Sequence, residues 1–164
     1  MLTRQRGAAL LILMLSALGG CTSFSESGRE SPAPIALDAL RRALVFDALG
    51  QIGRPYRYGG QDPEGGFDCS GLVRYLYGLQ GVALPRTTRE QQHAGSRIRL
   101  DQALPGDLLF YSFGRRGIDH VALYLGDGQA IHAPSTGRHV IVAPVGNRWW
   151  QQRYVEARRV LPIR

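Results

Sequence analysis

The chain has 164 residues, 44% of them hydrophobic, with two Trp, seven Tyr and five Phe, which supplies one ordinary globular core and not several domains. Its formal charge of +7 comes from twenty basic residues, all arginine, against thirteen acidic ones; such a field attracts anionic polymers in general. There is no zinc-ligand cluster, helix-turn-helix signal or aromatic ribonucleoprotein motif, so nucleic acid is not an expected partner.

Met1 to Gly7 carry Arg4 and Arg6, and Ala8 to Leu18 follow as an apolar run broken only by Ser16. These are the charged and hydrophobic regions of an export signal, and the run falls short of the roughly 20 apolar residues of a membrane span. Leu18-Gly19-Gly20-Cys21 then resembles the bacterial lipobox. That resemblance implies a lipoprotein signal peptide over residues 1–20 and a diacylglyceryl group on the thiol of Cys21. Residues 21–35, rich in Ser, Glu, Gly and Pro and without periodicity, read as a tether. Thr22 resembles the sorting choice of outer-membrane lipoproteins. A cysteine directly behind an apolar leader and two glycines is poorly placed to pair with Cys69 in a core.

Residues 36–164 form the expected domain. Leu37, Leu40, Leu44, Val45 and Ala48 recur at helical spacing between Ile35 and Leu49, and Gly50 and Gly53 end the pattern. Arg54 to Phe67 reads as a loop crowded with Gly and Pro. Cys69, Leu72, Val73, Leu76 and Tyr77 share one face of a second helix, with Asp68 as its N-cap. A short helix is expected around Thr88 to His93. After Pro105-Gly106 the pattern changes to strands at Leu108–Phe113, His120–Leu125, Gln129–Ala133, Val140–Ala143 and Tyr154–Val160. Helices followed by an antiparallel sheet of five or six strands define an α+β domain.

Cys69 opens its helix, where unpaired N–H groups and the positive end of the dipole favour a thiolate. A thiol nucleophile needs an imidazole to exchange protons with it and a polar group to orient that imidazole. His120 and His132 lie on consecutive strands joined by Gly126-Asp127-Gly128. A two-residue Asp127-Gly128 turn puts His132 opposite Leu123 and sets the two histidines on opposite faces of the hairpin. A three-residue loop, with Gly128 left-handed, pairs Leu123 with Ile131 and makes His120 the diagonal neighbour of His132, roughly 7 Å away. The second register also gathers Val121, Leu123, Leu125 and Ile131 on one face, and His120, Ala122, Tyr124, Ala130 and His132 on the other. The three-residue loop is therefore expected, with the alanines letting the Cys69 helix approach closely. His93 and His139 have no such setting and are expected at the surface.

Six ordered blocks then carry a resemblance: residues 53–60 (GRPYRYGG), 68–73 (DCSGLV), 84–88 (LPRTT), 105–108 (PGDL), 119–124 (DHVALY) and 131–133 (IHA). From about Leu40 onward the chain resembles the NlpC-type cell-wall peptidases, a reduced papain-like fold, and especially the lipoprotein endopeptidases of Gram-negative bacteria. The resemblance implies hydrolysis of amide bonds in peptidoglycan stem peptides or cross-links next to meso-diaminopimelate, in the periplasm, by an enzyme lipid-anchored to the membrane and open to regulatory proteins of the envelope. It implies Cys69 as nucleophile, His120 as base and then acid, His132 as orienting residue, Tyr56 beside the oxyanion, and Asp68, Ser70 and Arg86 along the substrate groove. No metal or other cofactor is called for. Tyr56 reads equally as loop packing, Asp68 as an N-cap, Arg86 as a solvated arginine, and Trp149-Trp150 as core or rim aromatics. An acyltransferase or amidase on the same fold, and a non-catalytic wall-binding scaffold, stay open as alternatives.

Overall fold

The computed structural model describes residues 34–114, 117–135 and 138–162. The signal peptide, the lipidation at Cys21 and nearly all of the tether expected from the sequence lie outside them.

The first helix, α1, spans Pro34–Leu49 and buries Leu37, Leu44 and Ala48. The glycine-rich stretch behind it contains a small hairpin, β1 (Gln61–Asp62) and β2 (Gly66–Phe67), where a plain loop is expected. Next comes α2, Cys69–Leu79, whose apolar face Leu72, Val73, Leu76 and Tyr77 is buried. α3 is a single turn, Thr88–Gln91, held by a capping box between Thr87 and Glu90.

The rest is sheet: β3 (Ser96–Ile98), a 3₁₀ turn at Leu100–Gln102, β4 (Leu108–Tyr111), β5 (His120–Gly126), β6 (Gln129–His132), β7 (Ile141–Pro144), a one-turn helix α4 (Arg148–Gln151) and β8 (Tyr154–Arg159). The six strands are antiparallel in the order β3-β8-β4-β5-β6-β7. β4 to β7 form a meander. β8 returns to pair with the free side of β4 and carries β3, which the sequence pattern did not reveal, on its outer edge.

The sheet has two unlike faces. Leu108, Phe110, Val121, Leu123 and Ile131 form one core with α1 and α2. Leu109, Tyr111, Ala122, Ala130 and Ala157 form the other, with Trp150 of α4. This corrects the expectation that Ala122 and Ala130 make room for the Cys69 helix: that helix lies on the bulky aliphatic face, and the alanines accommodate an indole.

Between β5 and β6, Leu123 pairs with Ile131 as expected, but the loop differs. Asp127 and Gly128 (φ 48° and 69°) form a two-residue turn flanked by the pair Gly126 and Gln129. Two positive φ values in succession are the mark of the primed turns that match strand twist. The odd residue is absorbed in the strand, as a bulge between Tyr124 and Gly126. The register is the same, and so is the placing of both histidines on one side.

A buried charge cluster ties the layers together. Asp107, at the start of β4, is fully buried and accepts from Arg41 of α1 (3.3 Å) and from Arg159 of β8 (2.7 Å), while the Leu104 N–H donates to it at 2.8 Å. Both arginines also donate to backbone carbonyls, those of Pro105, Leu161 and Gln102 among them. No helix among the described residues is long and apolar enough to cross a membrane.

Candidate active site

The first turn of α2 reaches the beginning of β5, which brings Cys69 and His120 to one cleft. About 730 Å³ in volume, the cleft is also lined by Tyr56, Phe113, Asp119, Arg138 and Trp149. A depression of similar size, about 800 Å³, beside the β3–β8 edge is lined by Arg97, Leu100, Tyr154 and neighbours and holds neither cysteine nor histidine.

His120 and His132 are both buried, and Nε2 of His120 lies 3.1 Å from Nδ1 of His132. Their rings lie within 3° of parallel. With Nε2 so engaged, Nδ1 is the nitrogen of His120 left for the thiol. His93 and His139 are exposed, as expected.

The Cys69 thiol is desolvated, and burial pushes its pKa up; a hydrogen bond with Thr88 and the N–H groups of Val121 and Ser70 act in the opposite direction, while nearby Asp68 adds to the rise. Burial pulls His120 down to about 3, and His132 well below its ordinary value, with His120 adding to the latter. Burial thus works against both charged forms, the thiolate and the imidazolium, and opposes the helix dipole that favours a thiolate within the first turn.

Asp68 organises the other wall. Its Oδ1 accepts from the N–H of Gly71 (2.7 Å), the hydroxyl of Ser70 (3.2 Å) and Nη1 of Arg86 (3.0 Å), and its Oδ2 from the N–H of Gly59 (3.0 Å) and Nη2 of Arg86 (2.7 Å). One carboxylate thus caps α2, holds the loop after Tyr56 and pairs with an arginine in a two-pronged geometry. The loop and helix touch so closely that a Cβ on Gly71 would strike the Gly60 carbonyl oxygen. Tyr56 stands half-buried beside Cys69, and burial and the neighbouring acids raise its phenol.

Three residues at this site escape a reading of the sequence. Thr88 Oγ1 lies 3.5 Å from Cys69 Sγ; the sequence places Thr88 in a short helix but does not give the direction of its side chain. Trp150 is buried with its ring stacked on His132, centroids 3.8 Å apart. Tyr111 lies against both histidine rings at 5.7 and 5.8 Å, its hydroxyl buried without a partner. Trp149, by contrast, is half-exposed at the rim, its ring covered by the guanidinium of Arg153 at 4.3 Å.

The sequence profile of the NlpC/P60 family matches residues 53–159. The chain is 44% identical over 115 residues to the murein DD-endopeptidase MepH of Escherichia coli K12, covering 68% of this chain and 42% of that one. It is 42% identical, again over 115 residues, to the probable endopeptidase YafL of the same organism, covering 68% and 46%. Among solved structures it is similar to the peptidoglycan hydrolase RipB of Mycobacterium tuberculosis, with a TM-score of 0.68 and 33% identity over 80% of this chain and 69% of that one. The chain spans less than half the length of the two E. coli relatives.

Proposed function

The chain belongs to the NlpC/P60 family, and from that premise we propose that it is a cysteine peptidase of peptidoglycan, cutting amide bonds in stem peptides or cross-links next to meso-diaminopimelate. The observation that carries this reading is the cleft in which a cysteine at a helix start meets a histidine whose far nitrogen is held by a second histidine. A binding scaffold has no use for that set.

In the reaction, Cys69 Sγ gives its proton to Nδ1 of His120 as it attacks the substrate carbonyl carbon. The Nε2–H of His120 stays donated to His132, which fixes the ring and shares its new charge. The carbonyl oxygen becomes an oxyanion, received by the Tyr56 hydroxyl and the Cys69 N–H at the start of α2. His120 returns the proton to the departing amine, the C–N bond breaks, and water attacks the thioester with His120 as base. Burial of the thiol and the imidazoles suits this sequence, since it favours the neutral pair until substrate is in place.

Asp68, Ser70 and Arg86 belong to the substrate side of the cleft. Asp68 already accepts five hydrogen bonds, so its part is to set the wall. Arg86, held by Asp68 but a third exposed at its side chain, is the member that presents a positive charge to a substrate carboxylate.

Residues 1–20 direct export, Cys21 carries the lipid, and residues 21–35 tether the domain to the outer membrane facing the periplasm. Envelope proteins that regulate wall cleavage are its expected partners, besides peptidoglycan itself. The test is digestion of diaminopimelate-type peptidoglycan by the purified protein and by its Cys69→Ala variant, with products identified by mass. Conversion of cross-linked dimers to monomers by the wild type alone is expected. Inactivity of both on walls and on free muropeptides under reducing conditions would instead favour the scaffold, and action on other amides the acyltransferase or amidase.

A further inference from the structure

The two imidazoles are buried together, yet among the described residues no carboxylate lies within ion-pairing distance of either. The groups facing them are mostly neutral. Cys69 comes from α2, Tyr111 from β4, and Tyr154 from β8 stands behind Tyr111. Asp119, which precedes β5, commits its oxygens to the N–H groups of Phe113 and Gly114. The arginine that lines the cleft, Arg138, is exposed, and Arg153 beside it lies over Trp149. A proton arriving on His120 therefore meets no carboxylate, only the thiolate that it has left.

What it does meet is an indole face. Trp150 stacks on His132 with centroids 3.8 Å apart and planes at 24°, the shortest ring separation among the described residues, and extends under His120 at 5.6 Å and 28°. Tyr111 and Phe113 meet the imidazoles tilted or edge-on. The sheet is shaped for this ring: Ala122, Ala130 and Ala157 share its cluster, and bulkier residues there would lift the indole off the histidine. Nε2 of His132 is buried without a hydrogen-bond partner, and stacked planes keep that nitrogen from pointing at the indole. The indole can thus act on the charge of His132 only through its face. A cation over the face of a tryptophan is attracted by the ring quadrupole, more strongly when desolvated.

We infer that Trp150 is a positioning residue of the reaction, whose indole face holds His132 in line with His120 and stabilises the positive charge the two imidazoles share once the thiol proton has moved. This rests on the Cys69–His120 pairing proposed above, and it needs no assumption about the bond that is cut.

The test uses alkylation of Cys69 by iodoacetamide in the full chain, followed by mass on the Cys69 peptide so that Cys21 does not interfere, from pH 5 to 11. Below the thiol pKa the reactive species is the thiolate–imidazolium form; well above it a thiolate forms without needing an imidazolium. Trp150→Leu is expected to slow alkylation about tenfold at pH 6–7 and to rejoin the wild type at high pH, while Trp150→Phe, which keeps a ring face, stays within about threefold. Equal slowing of Trp150→Leu at every pH, or none at all, overturns the inference. His120→Ala separates the two levels: if its profile matches the wild type, the Cys69–His120 pairing fails and the inference falls with it. Should Trp150→Leu not fold, fluorinated tryptophans in a Trp149→Phe chain weaken the ring face at almost constant volume. A rate at pH 6.5 that falls stepwise, about twofold per fluorine, is expected; a flat series overturns the inference.

Discussion

Thr88 Oγ1 and Cys69 Sγ, contributed by different helices, lie 3.5 Å apart, and the threonine is buried. Of the influences that oppose desolvation of the thiol, this hydrogen bond is the largest. Thr88→Val, which keeps the shape and removes the hydroxyl, is expected to slow Cys69 alkylation at pH 7 and lower kcat/KM together, each by about three- to tenfold. Thr88→Ser should stay near wild type. Unchanged alkylation in the valine variant would mean that the contact does nothing for the thiol.

His132 orients His120 through a single bond between Nε2 and Nδ1. An acceptor in its place should keep the ring orientation. His132→Asn is therefore expected to retain about a tenth or more of the activity, while His132→Ala loses about a hundredfold or more in kcat with little change in KM. Equal losses in the two would show that the acceptor is not what matters.

The histidines also couple stability to pH. Folding holds His120 down at about 3 and His132 well below its ordinary value, both by burial, so between those values and about 6.5 the unfolded chain binds more protons than the folded one. Stability is complete above about pH 6.5 and is lost progressively as pH falls toward 3. Thermal melts followed by circular dichroism should show Tm dropping between pH 7 and 4, with a smaller drop in His120→Gln. The same burial predicts that Cys69 alkylation in the wild type keeps rising with pH through neutrality. A plateau extending down to pH 5 would reveal a resting thiolate after all.

Asp107 sits between Arg41 and Arg159 with no solvent exposure. Asp107→Ala leaves two arginines buried without their carboxylate, for an expected loss of about 3 to 5 kcal/mol, read as a lower urea midpoint. A change below about 1 kcal/mol would mean that the backbone carbonyls bonded to both arginines satisfy them alone.

What the sequence discloses here is the pattern that repeats along the chain. The alternation around His120 and His132 gives the register correctly because one face must be buried, whereas the turn is misjudged because a bulge at Leu125 and a longer loop satisfy the same count. The second helix and its cap are legible from Asp68 and the spacing of Leu72, Val73 and Leu76. β3 is invisible because its three residues, Ser96 to Ile98, are largely exposed and carry no alternation. Thr88 and Trp150 are unreadable for another reason: each reaches the site across the tertiary structure, and nothing in their neighbourhood along the chain says which way they point. The resting charge state of Cys69 belongs with these, since desolvation is a property of the assembled cleft.

The bonds of Asp68 have a consequence for how geometric error spreads. Because a single carboxylate fixes the start of α2, the loop behind Tyr56 and the guanidinium of Arg86, any displacement of that carboxylate is common to all three. The spacing of Cys69 from Tyr56 is thereby insulated from small shifts of the wall as a body. His120 and His132 take their positions from the sheet, a separate frame of reference, so tolerance in the site concentrates in one coordinate: the gap between the sulfur and the imidazole it must reach.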